Sequence, residues 1–283
     1  MATFYNQAIL SYNGNTTTSN ITTGEILEVL SATKNAVVDE YTSDDAITYV
    51  VSIINSGASA FTGLTLTDDL GEYTSGTLTL VPLTYTADSL QYYENGVLRP
   101  TPAVASENPL TVTGISVPAR GNATIIYEAR TNGFAPIGTG GTITNTAVIS
   151  GTNVSPVTVE ETINASEEAR LTISKSLSPA TVAENGVITY TFVIQNSGNT
   201  AAIAADNVAV TDTFNPILSG ITVAFNGETW AENTNYTYNE ATGIFSTVPG
   251  QITVPEATYT QDPASGVIIV NPGVSVLTVT GTV

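Results

Sequence analysis

Apolar residues in this 283-residue chain recur at every second position over short stretches bounded by Gly, Asn, Asp, Ser and Pro. Successive side chains leave a strand on opposite faces, so this alternation marks half-buried β-strands. The pattern also repeats. Tyr49-Val-Val-Ser-Ile-Ile-Asn-Ser-Gly57 parallels Tyr190-Thr-Phe-Val-Ile-Gln-Asn-Ser-Gly198, and Leu64-Thr-Leu-Thr-Asp68 parallels Val208-Ala-Val-Thr-Asp212. Further on, Arg120-Gly-Asn-Ala-Thr-Ile-Ile-Tyr127 parallels Pro272-Gly-Val-Ser-Val-Leu-Thr-Val279. Short strands at these spacings predict an all-β protein of two tandem immunoglobulin-like β-sandwich domains. Their expected bounds are 23–152 and 170–283, with a linker over 153–169 and an N-terminal segment over 1–22.

The two copies differ at their ends. The first continues through a loop, Asn132 to Thr139, into Thr142-Ile-Thr-Asn-Thr-Ala-Val-Ile149, whereas the second reaches Val283 where that loop and strand should follow. A match for the strand lies at the start of the chain: Thr3-Phe-Tyr-Asn-Gln-Ala-Ile-Leu10 aligns with it position by position. Asn6 precedes Lys34 by 28 residues and Asn145 precedes Lys175 by 30. The expectation is therefore a second domain that lacks its last strand, and an N-terminal strand shaped to complete it. An incomplete sandwich exposes backbone groups and an apolar cleft that an extended segment can fill. Filling by another copy is heterologous and generates an open head-to-tail polymer unless rotation closes a ring.

Composition narrows the chemistry. The formal charge is −19 with only 11% of residues charged, which disfavours nucleic acid and anionic membrane as partners. No apolar run is long enough to span a bilayer, and no signal peptide is visible at Met-Ala-Thr-Phe-Tyr. Histidine and cysteine are both absent. Disulfides, thiol or histidine catalysis and the usual metal-ligand sets are thereby removed, and neither metal nor cofactor is expected.

Only two lysines occur, Lys34 and Lys175, at equivalent places in the repeat. Each shares a strand face with apolar residues: Leu30 and Ala32 in the first copy, Leu171 and Ile173 in the second. A lone ammonium among core positions is costly unless something neutralises it. Alternation also turns Asn145 inward with Ile143, Ala147 and Ile149, and Asn6 with Phe4, Ala8 and Leu10. Asp68 shares a face with Leu64 and Leu66, and Asp212 with Val208 and Val210. Each domain thus directs one Lys, one Asn and one Asp inward. An amine in an apolar site loses proton affinity and becomes nucleophilic, and a neighbouring carboxyl can polarise the amide and shuttle protons. Attack on the asparagine side chain expels ammonia and leaves a Lys–Asn isopeptide bond. Such a bond forms once, without turnover, so the protein is not expected to be an enzyme.

The strings Leu171-Thr-Ile-Ser-Lys-Ser-Leu-Ser-Pro179, Thr189-Tyr-Thr-Phe-Val-Ile-Gln-Asn-Ser-Gly-Asn-Thr200, Val210-Thr-Asp-Thr-Phe214 and Ile143-Thr-Asn-Thr-Ala-Val148 resemble the bacterial surface repeat called domain of unknown function eleven. That repeat is similar in outline to the sandwich modules of Gram-positive pilins and adhesins, which carry self-forming Lys–Asn bonds beside an Asp or Glu. The resemblance implies a bond between Lys34 and Asn145 promoted by Asp68, and one between Lys175 and Asn6 promoted by Asp212. The displaced last strand departs from the repeat's pattern and leaves the second bond two forms: within one chain, or, with Asn6 from a neighbour, a covalent link between subunits.

Plainer readings stand beside these. The lysines can snorkel to solvent, the asparagines can be satisfied core amides, and Glu128 is a second acid in the first domain. Asn55 and Asn196 read as turn residues. Ser31-Ala-Thr-Lys34 fits the Ser-x-x-Lys pattern of penicillin-recognising acyl transferases, Asp44-Asp45 and Asp68-Asp69 offer oxygens to calcium, and Trp230 with Tyr236 and Tyr238 suggests a carbohydrate patch. Loops over 75–108 and 226–265 are candidates for lateral contacts. The leading expectation is a structural subunit of an extracellular, cell- or spore-surface filament whose partners are identical subunits. The alternative is a monomeric adhesin or carbohydrate-binding module, its N-terminal strand closing its own second domain.

Overall fold

The computed structural model describes residues 2–26, 29–152 and 154–283. The fold is all-β: strands, a single 3-10 turn at Ala204–Asp206, and no α-helix among the described residues. The chain divides into two compact units. One comprises residues 1–135 and 143–163, the other 136–142 and 164–283.

Two six-stranded sheets build the first unit. One runs, in order, Val97–Arg99, Gln91–Glu94, Gly121–Thr131, Ala46–Asn55 and Leu30–Ala36, with Leu83–Tyr85 also paired to Gly121–Thr131. The other runs Ala103–Glu107, Leu110–Val117, Phe61–Asp68, Thr142–Gly151, Val154–Ala165 and Glu40–Tyr41. Strict alternation sets the inner faces: Ile47, Tyr49, Val51 and Ile53 on one strand, Ala123, Ile125, Tyr127 and Ala129 on its neighbour, all buried. Leu64 and Leu66, with Ile143, Ala147 and Ile149, form the facing layer.

The segment 153–169 is largely not a linker. Asn153 lies outside the described residues, but Val154–Ala165 is a strand of the second sheet, with Ile163 fully buried. Its mixed Glu and Thr content hid an inward set that appears only at its end. The 75–108 stretch likewise contains strands at Leu78–Leu80, Leu83–Tyr85, Gln91–Glu94, Val97–Arg99 and Ala103–Glu107.

In the second unit, Leu171–Ser178, Val187–Asn196, Gly273–Thr282, Ser219–Phe225 and Glu228–Trp230 form one sheet, and Thr211–Thr213, Ile244–Thr247 and Tyr236–Asn239 a smaller one. Their core gathers Tyr190, Phe192, Phe214, Phe245, Leu277 and Val279. Trp230 packs on Phe225 with ring centroids 5.0 Å apart, and Tyr236 is buried, so these aromatics serve the core more than an open sugar platform. Thr211–Thr213 pairs with Ile244–Thr247 along one edge, and among the described residues no strand lies along the other. In the first unit the equivalent strand, Phe61–Asp68, is flanked on both sides, by Leu110–Val117 and Thr142–Gly151.

The N-terminal segment is not one extended strand. Ala2–Asn6 pairs with Thr22–Ile26 and Ile9–Tyr12 with Asn15–Thr18, around a turn at Asn13-Gly14 where both residues have positive φ, 46° and 81°.

Candidate crosslinking sites

Lys34 sits in the middle of its edge strand, on the inner face. Its Nζ donates to Asp68 Oδ2 at 2.7 Å and to the Asn145 backbone oxygen at 2.9 Å, and lies 5.0 Å from the Tyr49 ring centroid. The register of Phe61–Asp68 with Thr142–Gly151 puts Ala147 opposite Asp68, which brings Asn145 to the same spot. Both side chains of the Lys34–Asp68 pair are fully buried. Burial lowers the lysine's pKa, opposed chiefly by the Asp68 charge and more weakly by Asp69 and Glu161.

Two tyrosines complete the cluster. Tyr127 and Tyr49 stack with centroids 5.5 Å apart. The Tyr127 hydroxyl donates to Asp68 Oδ2 and accepts from Asn145 Nδ2 at 3.4 Å. Its pKa is pushed well up, first by burial and then by the Asp68 charge. Asp68 Oδ1 accepts from Leu70 N at 3.0 Å. The Asn145 carbonyl oxygen, by contrast, is buried without a hydrogen-bond partner. An orphaned buried acceptor costs about 1–3 kcal/mol, so the amide is held where its own oxygen is unstabilised and its nitrogen is engaged.

In the second unit, Lys175 pairs with Asp212 and lies over three rings, 4.3 Å from the Tyr190 centroid, 5.4 Å from Phe192 and 5.3 Å from Phe214. This pair is open. The Lys175 side chain is 38% exposed where that of Lys34 is 0%. Its strand neighbours Ile173 and Leu177, inward by alternation, are exposed too. The open face is the one that Thr142–Gly151 and Val154–Ala165 cover in the first unit. Asn6 is in the N-terminal hairpin, where Thr22 Oγ1 donates to its backbone oxygen at 3.2 Å.

The structure therefore joins Lys34, Asp68 and Asn145, and separately Lys175 and Asp212. It leaves Glu128 out: that carboxylate, on the outer face of its strand, accepts from Thr86 Oγ1. Asp45 and Asp69 are spent on turn amides, at Thr42 and at Gly71 and Thr146, and no cluster of three metal-ligating side chains occurs among the described residues. Ser31 is exposed on the strand face away from Lys34. Asn55 and Asn196 each bind loop backbone on both sides of the amide. Tyr127 was not singled out from sequence, yet its alternation with Ile125 and Ala129 signals a phenol that must find a buried partner.

No family model and no curated protein matches the chain. Among solved structures, it is similar to the C-terminal domain of the Streptococcus pyogenes antigen I/II-family protein AspA, at 12% identity and a TM-score of 0.35, over 90% of this chain and 91% of that one. It is also similar to the pilus backbone RrgB from Streptococcus pneumoniae, at 12% identity and a TM-score of 0.32, over 86% of this chain and 55% of that one. A third is ACE19, the collagen-binding subdomain of the Enterococcus faecalis surface protein ACE, at 6% identity and a TM-score of 0.30, over 50% and 99%. At such scores the overlap is one of loose β architecture, and the functional reading rests on the site.

Proposed function

We propose that the protein is a structural subunit of a filament at the outer surface of its cell or spore, assembled by strand donation between copies and locked by Lys–Asn isopeptide bonds. The observation that carries this is the same Lys–Asp pair in two states. It is sealed against an inward asparagine in the first unit and open, beside an unpaired strand edge, in the second. The first unit states what the second requires: a strand bearing Ile143, Asn145, Ala147 and Ile149. Residues Phe4, Asn6, Ala8 and Leu10 supply that pattern. Transferring the register seats Ala8 opposite Asp212 and Leu10 opposite Val210.

The chemistry balances within the cluster. A proton passes from Lys34 Nζ to Asp68 along their hydrogen bond, leaving a neutral amine and a neutral acid. Nζ then attacks Asn145 Cγ, and the protonated carboxyl supports the carbonyl oxygen as charge develops there. One Nζ proton moves to Nδ2, the Cγ–Nδ2 bond breaks, ammonia departs, and a secondary amide joins the two side chains. Lys175, Asp212 and the Asn6 of another copy follow the same course once the donor strand covers them.

The test is intact mass together with denaturing electrophoresis. Purified protein boiled in detergent should run as a ladder, with one ammonia lost for each bond. The ladder should vanish in Asn6→Ala and Lys175→Ala but persist in Asn145→Ala. A monomer lacking two ammonia molecules would instead establish the alternative, an arm closing its own second unit. An intact mass with no loss removes the isopeptide reading.

A further inference from the structure

The donor need not be a single strand. Resting on the strand-donation reading, we infer that the second unit is completed by the whole N-terminal hairpin of another copy, residues 2–26, docked as a preformed two-stranded piece.

Two registers carry this. Along the pairing of Thr142–Gly151 with Val154–Ala165, Ala165 N donates to Gly141 O at 2.8 Å, and Thr144 Oγ1 meets Thr162 Oγ1 at 2.8 Å. That alignment sets Asn145 opposite Glu161 and Ile143 opposite Ile163. In the N-terminal hairpin Asn6 is opposite Thr22 and Phe4 opposite Gly24. Each asparagine thus lies 16 residues before its cross-strand partner, and each hairpin turns about midway between them. Ser19 N donates to Ala8 O at 2.9 Å as Ala165 N does to Gly141 O. Both acceptors are an even number of residues from their asparagine, and the one-residue register shift between Asn6–Thr22 and Ala8–Ser19 falls on the Ser19–Thr22 side, so alternation puts Asn6 and Asn145 on the same face of their hairpins.

The inward pair is also matched in volume. Ile143 and Ile163 are both buried in the first unit. Their counterparts are one large and one minimal residue, and the Phe4 ring occupies the space over Gly24: a Cβ there would stand 2.4 Å from Phe4 Cζ. Such compensation across a pair is what a shared core slot demands. Among the described residues, the outer edge of Ala2–Asn6 carries no partner. The equivalent edge of Thr142–Gly151 is the one that pairs with Phe61–Asp68. Phe4 and Leu10, the would-be core residues, stand 53% and 61% exposed.

A hairpin also decides between copies. Paired within the hairpin, residues 11–25 are not an extensible tether, and the four Cα steps from Ile26 to Leu30 reach at most about 14 Å. Leu30 pairs with Asn55 at the end of the first unit that also holds Val117 and Pro118. The chain passes out of the first unit after Ile163, whose partner strand Thr142–Gly151 starts at the opposite end, beyond Asp68. Those ends are separated by the length of the Gly121–Thr131 strand, on the order of 35 Å.

Two variants of the full chain test this. In Tyr5→Cys/Thr23→Cys, cross-strand partners on the outward face, oxidation staples the hairpin in a protein with no other cysteine. The stapled protein should polymerise at least as fast as the reduced one. A ladder that forms only after reduction would overturn the hairpin while leaving strand donation intact, and no ladder in either state overturns both. Gly24→Ile should lose the ladder through its clash with Phe4, and Phe4→Ile/Gly24→Ile, which recreates the Ile143–Ile163 pair, should regain it. An undiminished ladder in Gly24→Ile alone shows that residue 24 is only linker and sinks the inference.

Discussion

Tyr127 separates the two proposed crosslinking sites chemically. It donates to the acid that accepts from Lys34 Nζ and at the same time accepts from the side-chain nitrogen of Asn145. Its counterpart in the repeat is Val279, so the second site has no such phenol. The bond to Asp68 favours the charged carboxylate, whereas the contact with Asn145 Nδ2 positions the amide and can pass a proton to the departing nitrogen, an acid–base contribution of about a hundredfold or more. Tyr127→Phe should therefore slow formation of the internal bond about tenfold or more once the two opposing effects are combined. The bond between copies should form at its usual rate, and timed mass spectrometry resolves the two. Where the amide never forms, the buried amine reports itself through pH. In Asn145→Ala, Lys34 keeps a folded-state pKa below its unfolded value, so the unfolded chain binds more protons between them. Stability should then rise with pH from the depressed value up to the ordinary lysine range. Denaturant titrations at several pH values should show that slope in Asn145→Ala and lose it in Lys34→Met/Asn145→Ala.

At the scale of strands, period-2 alternation was enough to place every residue of the closed site on an inner face, because burial on one side leaves a strong sequence trace. Lys34, Asp68 and Asn145 came together as expected from Leu30, Leu66 and Ile143 around them. What stayed hidden were elements whose faces are both wet. Residues 9–18 alternate too little to show that Ile9–Tyr12 turns back on Asn15–Thr18, although Asn13-Gly14 is a strong hairpin turn signal. Val154–Ala165 reads as linker because its inward residues, Ile163 and Ala165, come only at its end, after Glu160 and Glu161. The edge strand of the second unit shows the complementary effect. Ile173 and Leu177 are patterned for a core but stand exposed, which is the condition that the proposed strand donation requires. Supplying a synthetic peptide of residues 2–26 to the full chain should protect the amides of Leu171–Ser178 and Thr211–Thr213 from hydrogen exchange. The peptide should also cap growth, and an Asn6→Ala version should protect without becoming covalently attached.

Considered as a whole, on the proposed strand-donation reading, the molecule joins copies that repel one another. Each carries a formal charge of −19, yet residues 2–26 contain one acidic residue, Glu25, and no basic one. The part that docks is nearly neutral and the bodies behind it are not. Encounter between like-charged bodies is slowed at low ionic strength, and the range of that repulsion falls from about 30 Å at 0.01 M salt to about 10 Å at 0.1 M. The rate of ladder formation should therefore rise with added sodium chloride and level off once the screening length is shorter than the arm. Docking itself rests on apolar burial and backbone pairing, which salt does not weaken. The crosslinked product, once formed, should also be indifferent to later dilution into low salt, because an amide holds what screening only allowed to meet. Time courses in stepped salt, each followed by desalting, separate these two behaviours. A ladder that grows fastest at the lowest salt would mean that the joining faces attract through charge, and would point to a contact other than the Asn6 hairpin.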